Sequence, residues 1–334
     1  MFYITFKLFA SFKIAMLQTG QNAQKAIDIS RCLQLAILLE VSADKPGNVN
    51  FSSSFEGTRK EHFLASAIAA GPIFQKAAKM GIQILEGKRE LSEAGLGELV
   101  EQCTRDVMEW QHGGNTILGT IMLFIPISIA AGITHVDEIF RIDLKSLRKN
   151  IDKVIRASTA IDAVHLYNAI DIAMPNGLNQ VPDLNVNDHA SKQRLLAENI
   201  TLRQVFDIAK SYDDICSEWI NNYPITFDEA YPYLIDQIVK TDQNTAVINT
   251  FLKILAQHPD TFIARKVGDV KAKEVTLEAK KVFDLGGAAT LLGRVALKEF
   301  DQYLRKAENH YNPGTTADIT AATLALCTLN GYRP

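Results

Sequence analysis

The stretch ILGTIMLFIPISIAAGI, Ile117 to Ile133, is the most apolar in the chain. At seventeen residues it lies at or below the roughly 20 that span a bilayer, and no second stretch like it accompanies it. Gly119, Thr120, Pro126 and Ser128 interrupt it. It therefore reads as a buried central helix of a soluble domain, kinked at Pro126, where the ring removes a backbone donor.

Outward from this helix, apolar residues keep recurring at helical spacing. Ala23 to Val41 is amphipathic, with apolar residues at Ile27, Leu33, Ile37 and Leu38, and an Asp-Lys-Pro-Gly turn lies just beyond it. His62 to Met80 follows, weakened in its middle by Gly71 and Pro72, then Gly97 to Trp110, Leu144 to Ser158 and Ile161 to Ala173. Pro175-Asn176-Gly177 closes that helix, and Asn179 to His189 is a polar loop, the best candidate for mobility. Gln193 to Ile220 reads as one long helix or two short ones. Phe227 to Lys240, Thr245 to Gln257, Val270 to Phe283, Ala288 to Ala307 and Thr315 to Leu329 complete the series.

No alternating run of short β-branched strands and no strand–GxGxxG–helix unit breaks the pattern. No repeat of 20 to 50 residues and no long Gly/Ser linker divides it. The expected fold is all-α, one compact multi-helix domain over 21–334 with a buried central helix. Residues 1–20 form an N-terminal leader. Its apolar run Phe2 to Leu17 is interrupted by Lys7 and Lys13 and lacks a cleavage site, so it is either flexible or precedes a true start at Met16.

Of the 334 residues, 47% are hydrophobic, enough for a sizeable core. A net charge of -3 argues against bulk binding to nucleic acid, which needs a basic face. Cys32, Cys103, Cys216 and Cys327 are far apart, with no CxxC pair. They read as buried apolar residues in a reducing, cytoplasmic compartment, with no disulfide framework or cysteine zinc site.

Four loops carry polar chemistry that ordinary helix connectors lack. In the first, Glu40 stands at a helix end where its charge opposes the dipole. Lys45 can meet a phosphate as a point charge, and Gly47 allows close backbone approach. A Pro-Gly turn with a solvated lysine is the plainer alternative. In the second, His112-Gly113-Gly114-Asn115-Thr116 enters the apolar helix. Its glycines expose successive N–H groups and Asn115 or Thr116 can cap, as a phosphate cradle or as a tight capped turn. In the third, Asp260 precedes Arg265 and Lys266, a grouping suited to Mg²⁺–phosphate or to a surface ion pair. In the fourth, Asn312-Pro313-Gly314 opens a helix and Asp318 leads an almost wholly apolar run. That carboxylate must be paired, hydrated or metal-bound, or it simply favours the helix N-terminus.

In this order and spacing, EVSADKPGNV, HGGNTILGTI, DTFIARKVG and NPGTTADITAATLAL resemble the triphosphoribosyl-dephospho-CoA synthase family over roughly residues 30–330. The resemblance implies an all-helical enzyme. It would transfer the triphosphoribosyl part of ATP to the ribose 2′-hydroxyl of 3′-dephospho-CoA and release adenine. The product is the precursor of the prosthetic group of citrate lyase and malonate decarboxylase. The resemblance implicates Glu40, Lys45, Pro46, Gly47, Gly113, Gly114, Asn115, Thr116, Asp260, Arg265, Pro313, Gly314 and Asp318. The chain departs from the family where Asn50 follows Val49, across Gly57 to His62, and over Ala160 to Leu178 and Asn179 to Ala190.

The chemistry calls for a carboxylate near a developing oxocarbenium charge, a base for the hydroxyl, and Mg²⁺ with cations on the triphosphate. Asp260 or Asp318 is expected to hold the metal. Lys45, Gly47, Arg265, Lys266, Gly314 and the loop Gly113 to Thr116 are expected at the phosphates. Glu40 is expected at the sugar, with Asp318 catalytic as well, while His112 is either the base or structural. Three alternatives stand beside this reading. One is a related ribosyl-nucleotide transferase or hydrolase with another acceptor. Another is a non-catalytic helical binding protein. The last is a prenyl-diphosphate enzyme suggested by Asp213-Asp214, disfavoured because Ser217 stands where an acid is needed. Asp214 and Glu218 then read as a solvated helix face.

Overall fold

The structure, a computed structural model, describes residues 2–174, 189–307 and 309–334, with residues 2–19 and 189 described by backbone alone. The apolar stretch forms α4 (Leu118–Ile133), and of its residues only Gly119, Met122 and Ile133 are not buried. It packs on α1 (Phe2–Ser42), α2 (Lys60–Leu85), α3 (Leu96–Trp110), α5 (Leu144–Arg156) and α15 (Gly314–Leu329). This helix is apolar all round because it has neighbours all round. It stays helical through Pro126. Among the described residues no helix is long and apolar enough to cross a membrane.

Small residues set how closely the helices approach. A Cβ on Gly81 would lie 2.0 Å from the Ile129 carbonyl oxygen, and one on Gly132 would lie 2.2 Å from that of Ala78. The backbones of α2 and α4 therefore touch at this pair. At the far end of α4, buried Lys25 donates to the carbonyls of Gly132 and Thr134, each at 2.7 Å. Its ammonium satisfies carbonyls that the ending helix leaves over, although burial lowers its pKa to about 8.

Around this centre run α6 (Ala160–Ala173), α7 (His189–Ala197), α8 (Leu202–Ala209), α9 (Asp214–Ile220), α10 (Tyr231–Lys240), α11 (Gln243–Gln257), α12 (Thr261–Val267), α13 (Asp269–Asp284) and α14 (Leu291–Arg305). The segment Gln193 to Ile220 is thus neither one helix nor two. It falls into α7, α8 and α9. Asn199 takes φ 52°, Thr201 caps α8 in a capping box with Gln204, and Asp213 caps α9. Each cap gives the backbone a better partner than continuation of the helix would. Among the described residues the only β pairing is two isolated bridges, so the architecture is all-α. All four cysteines are buried. The Pro175–Gly177 turn and most of the 179–189 loop lie outside the described residues.

Candidate active site

The sixteen-residue helix α4 loses its burial at Gly119 and Met122 because both face a cavity of about 460 Å³. Residues from all four polar motifs line it: Glu40 and Asn48, then Asn115 to Thr120, then Phe262 and Arg265, then Asn312, Gly314 and Asp318. Segments separated by up to 278 positions in the chain (Glu40 to Asp318) therefore share one wall. The first turns of α4 and α15 open onto it, so two helix dipoles favour negative charge there. Helices α6, α8 and α9 supply an apolar side that includes Ile170, Val205 and Ala209.

Asp318 lies early in α15, on the cavity wall. Its Oδ1 accepts from Thr120 Oγ1 at 2.5 Å. A Cβ on Gly119 would stand 2.1 Å from its Oδ2, so only glycine leaves that oxygen room. Loss of water around it pushes its pKa up to about 7; the charges of Glu40 and Asp260 push the same way, against the Thr120 hydrogen bond.

Glu40 reaches the cavity from the last turns of α1, but Lys45 does not reach it. The Lys45 side chain is completely buried; its ammonium lies 3.0 Å from Glu40 Oε1 and donates to the carbonyl oxygens of Glu40 and Ala43. The expected phosphate ligand is instead the counter-charge of the carboxylate beside it. Burial raises the pKa of Glu40, and Lys45 opposes that rise. Gly47 has φ 67° and donates its N–H to Asp301 at 2.8 Å, and a Cβ there would meet Leu304 at 2.5 Å. Its freedom serves packing against α14.

The Gly-Gly loop is also occupied by the protein itself. Gly113 N–H donates to the Gln111 side chain, whose amide donates back to the Gly114 carbonyl at 2.8 Å. Gly113 leaves room for the His62 ring, which a Cβ would approach to 2.2 Å. The N-cap of α4 is Ile117, without a side-chain cap, so neither Asn115 nor Thr116 takes the cap position expected of it; Asn115 accepts from Leu118 N–H at 3.1 Å from further back, and with Thr116 it lines the cavity. His112 is exposed and lies outside the lining.

Asp260 is 1% exposed and outside the lining. One oxygen accepts from the N–H groups of Phe262 and Ile263 at 2.9 and 3.0 Å. The other accepts from Thr316 N and Oγ1, both at 2.7 Å. With both oxygens so engaged, Asp260 is a brace between α12 and α15. Lys266 turns away to the Asn309 carbonyl at 2.8 Å and lies 4.1 Å from the Phe262 ring centre. Arg265 remains on the cavity wall, ion-paired to Asp213, the cap of α9, which also lines it.

Asp214 and Glu218 do not form a solvated face. Glu218 is fully buried and accepts from Ile225 N at 2.9 Å, Thr226 N at 3.1 Å and the Thr226 hydroxyl. Burial lifts it to about 7 against those bonds. Asp214 is lifted to about 6, by burial first and then by the charges of Asp260 and Asp213. The helix is short and its polar side packs inward, which i,i+4 spacing alone does not reveal.

Gly119, Thr120, Asp213 and Asn48 line the cavity too, although the sequence reading did not assign them to this site. A glycine followed by a threonine at the start of an apolar helix, and an aspartate capping a seven-residue helix, were the available signals.

A magnesium ion is commonly held by one or two carboxylates plus substrate phosphates. Among the described residues no group of three potential ligand side chains converges. Asp318 and Glu40, both carboxylates on the cavity wall, fit that partial donor set; Asp260, off the wall with both oxygens engaged, does not.

The chain matches the sequence model of the CitG family, ATP:dephospho-CoA triphosphoribosyl transferase, over residues 26–334, and it belongs to that family. It is 33% identical over 84 residues to a Pseudomonas fluorescens protein named as a probable 2-(5″-triphosphoribosyl)-3′-dephosphocoenzyme-A synthase, 25% of this chain and 28% of that one. It is 31% identical over 96 residues to the Klebsiella pneumoniae synthase of the same name, 28% of this chain and 31% of that one. The matches thus span about a third or less of these relatives' lengths. A crystal structure described as a triphosphoribosyl-dephospho-CoA synthase from Archaeoglobus fulgidus shares the fold. Its TM-score is 0.60 at 22% identity, covering 82% of this chain and all of that one.

Proposed function

We propose that this member of the triphosphoribosyl transferase family moves the triphosphoribosyl group of ATP to the 2′-hydroxyl of 3′-dephospho-CoA, releasing adenine. The observation that carries the reading is the single cavity where residues of all four motifs meet. We place the reaction in the cytoplasm, with ATP and the acceptor as small-molecule partners and no nucleic acid or membrane involved.

The bond between adenine N9 and the anomeric carbon breaks with its electron pair leaving on adenine, one from the acceptor oxygen to that carbon forms, and the hydroxyl proton, passed through the base, ends on the released adenine. Glu40 lies where a carboxylate can face the developing positive charge and take the hydroxyl proton. The Lys45 ammonium, 3.0 Å away, favours its ionised form against the opposing effect of burial. Arg265, the Asn115–Thr116 turn and the start of α15 at Gly314 receive the triphosphate. Asp318, on the same wall, would hold Mg²⁺. Bound there, the ion would neutralise phosphate charge.

Purified protein with ATP, Mg²⁺ and 3′-dephospho-CoA should release adenine and form one product carrying the acceptor plus triphosphoribose by mass. Adenine release that ignores the acceptor sinks the transfer reading. A second reading keeps the donor and changes the acceptor, favoured by the short matches to the curated relatives. Mass analysis after offering other ribosyl nucleotides separates the two.

A further inference from the structure

Asn312 lines the cavity, and its Oδ1 is buried without a hydrogen-bond partner. An unpaired buried acceptor is costly, and a native site keeps one where something else supplies the donor. Its neighbours show what shape of donor fits. Asn48 reaches the Pro313 carbonyl next to it, at 3.5 Å. Arg305 donates to the Asn48 carbonyl and lies 5.2 Å from the Phe55 ring centre. Gly314 packs on the Phe262 ring, which a Cβ would approach to 2.9 Å. Phe55 and Phe262 both line the cavity. An unpaired amide acceptor on a wall that also carries two aromatic side chains suits a flat heterocycle that carries an amino group.

We propose that Asn312 reads the donor's base by accepting a hydrogen bond from the exocyclic amino group of adenine. This rests on the donor assignment above. Inosine triphosphate keeps the sugar, the phosphates and a purine ring, but presents a carbonyl oxygen where adenine has its amino group. That oxygen would face Asn312 Oδ1 acceptor to acceptor. Sites built around a hydrogen bond reject such analogues more strongly than apolar pockets do.

The test is calorimetric binding of ATP and of inosine triphosphate, each with Mg²⁺ and no acceptor, to the wild type and to Asn312→Ala and Asn312→Asp. The wild type should favour ATP at least tenfold. Asn312→Ala should weaken ATP about tenfold and leave inosine triphosphate unchanged, closing the gap. Asn312→Asp keeps an acceptor and should keep the preference. Equal losses for both nucleotides, or an unchanged ratio, would overturn the assignment. So would a wild type that binds neither, which overturns the donor reading too. A wild type that binds ATP selectively through Asn312 yet transfers nothing to dephospho-CoA would overturn the acceptor reading alone. Thermal melts check that each variant folds, and Asn312→Ser replaces the alanine variant if it does not.

Discussion

Thr120 Oγ1 lies 2.5 Å from Asp318 Oδ1 and ties the first turn of α4 to the first turns of α15. Next to it, the bare Cα of Gly119 makes room for the other oxygen of the same carboxylate. A carboxylate held by a hydroxyl on one oxygen and by close packing on the other is aimed before its ligand arrives.

Gly119→Ala should therefore damage the site more than the fold. Its Cβ would fall 2.1 Å from Asp318 Oδ2, and the carboxylate must turn away. We expect adenine release to drop by about 100-fold, a transition-state loss of roughly 2.7 kcal/mol, with a change in melting temperature of only a few degrees. A near-normal rate would show that Oδ2 has no role.

Asp318→Asn and Asp260→Asn should separate metal binding from bracing. The first should abolish the Mg²⁺ dependence of ATP binding, measured by titrating the ion at fixed nucleotide. The second should keep that dependence and lower stability by about 3 kcal/mol in urea, since it disturbs four hydrogen bonds to a buried carboxylate. The reverse pattern would return Asp260 to the metal.

Lys45→Met tests whether the buried lysine is a counter-charge or a phosphate ligand. As a counter-charge it should cost about 3–5 kcal/mol of stability, because Glu40 is left buried and unpaired. The double variant with Glu40→Gln should recover part of that loss in the same denaturation experiment. A well-folded single variant with only a weaker KM for ATP would favour the ligand role.

Glu218 should make stability depend on pH. Its pKa rises from 4.5 in an ordinary setting to about 7 in the fold, so the native state holds the proton longer than the unfolded chain. Its contribution to stability is thus lost as pH climbs from about 4.5 to 7 and is level above that. Glu218→Gln cannot titrate, so the wild type minus variant difference in unfolding free energy should fall across this window. A flat difference would mean that Glu218 stays ionised when folded.

Helix positions and fold class were legible because amphipathic periodicity is a local property of the chain. Ile117 to Ile133 announced a helix surrounded by others, and α4 is that helix. The triple break between residues 193 and 220 was less legible. It depends on the caps at Thr201 and Asp213, whose competition with helical continuation is settled by packing. At the candidate site, residues of all four motifs line one cavity.

The sequence by itself determined the helices, the apolar centre and the set of polar loops, since spacing and residue type fix these within a few turns of chain. Only the tertiary structure decided which polar side chains face the cavity and which face one another. Lys45 and Asp260 carry the charges expected of ligands, yet both are buried against partners of their own chain. Asp318 and Arg265 keep their place on the cavity wall. Residue type cannot make that distinction, because the cost of burying a charge depends on the partner that packing brings to it.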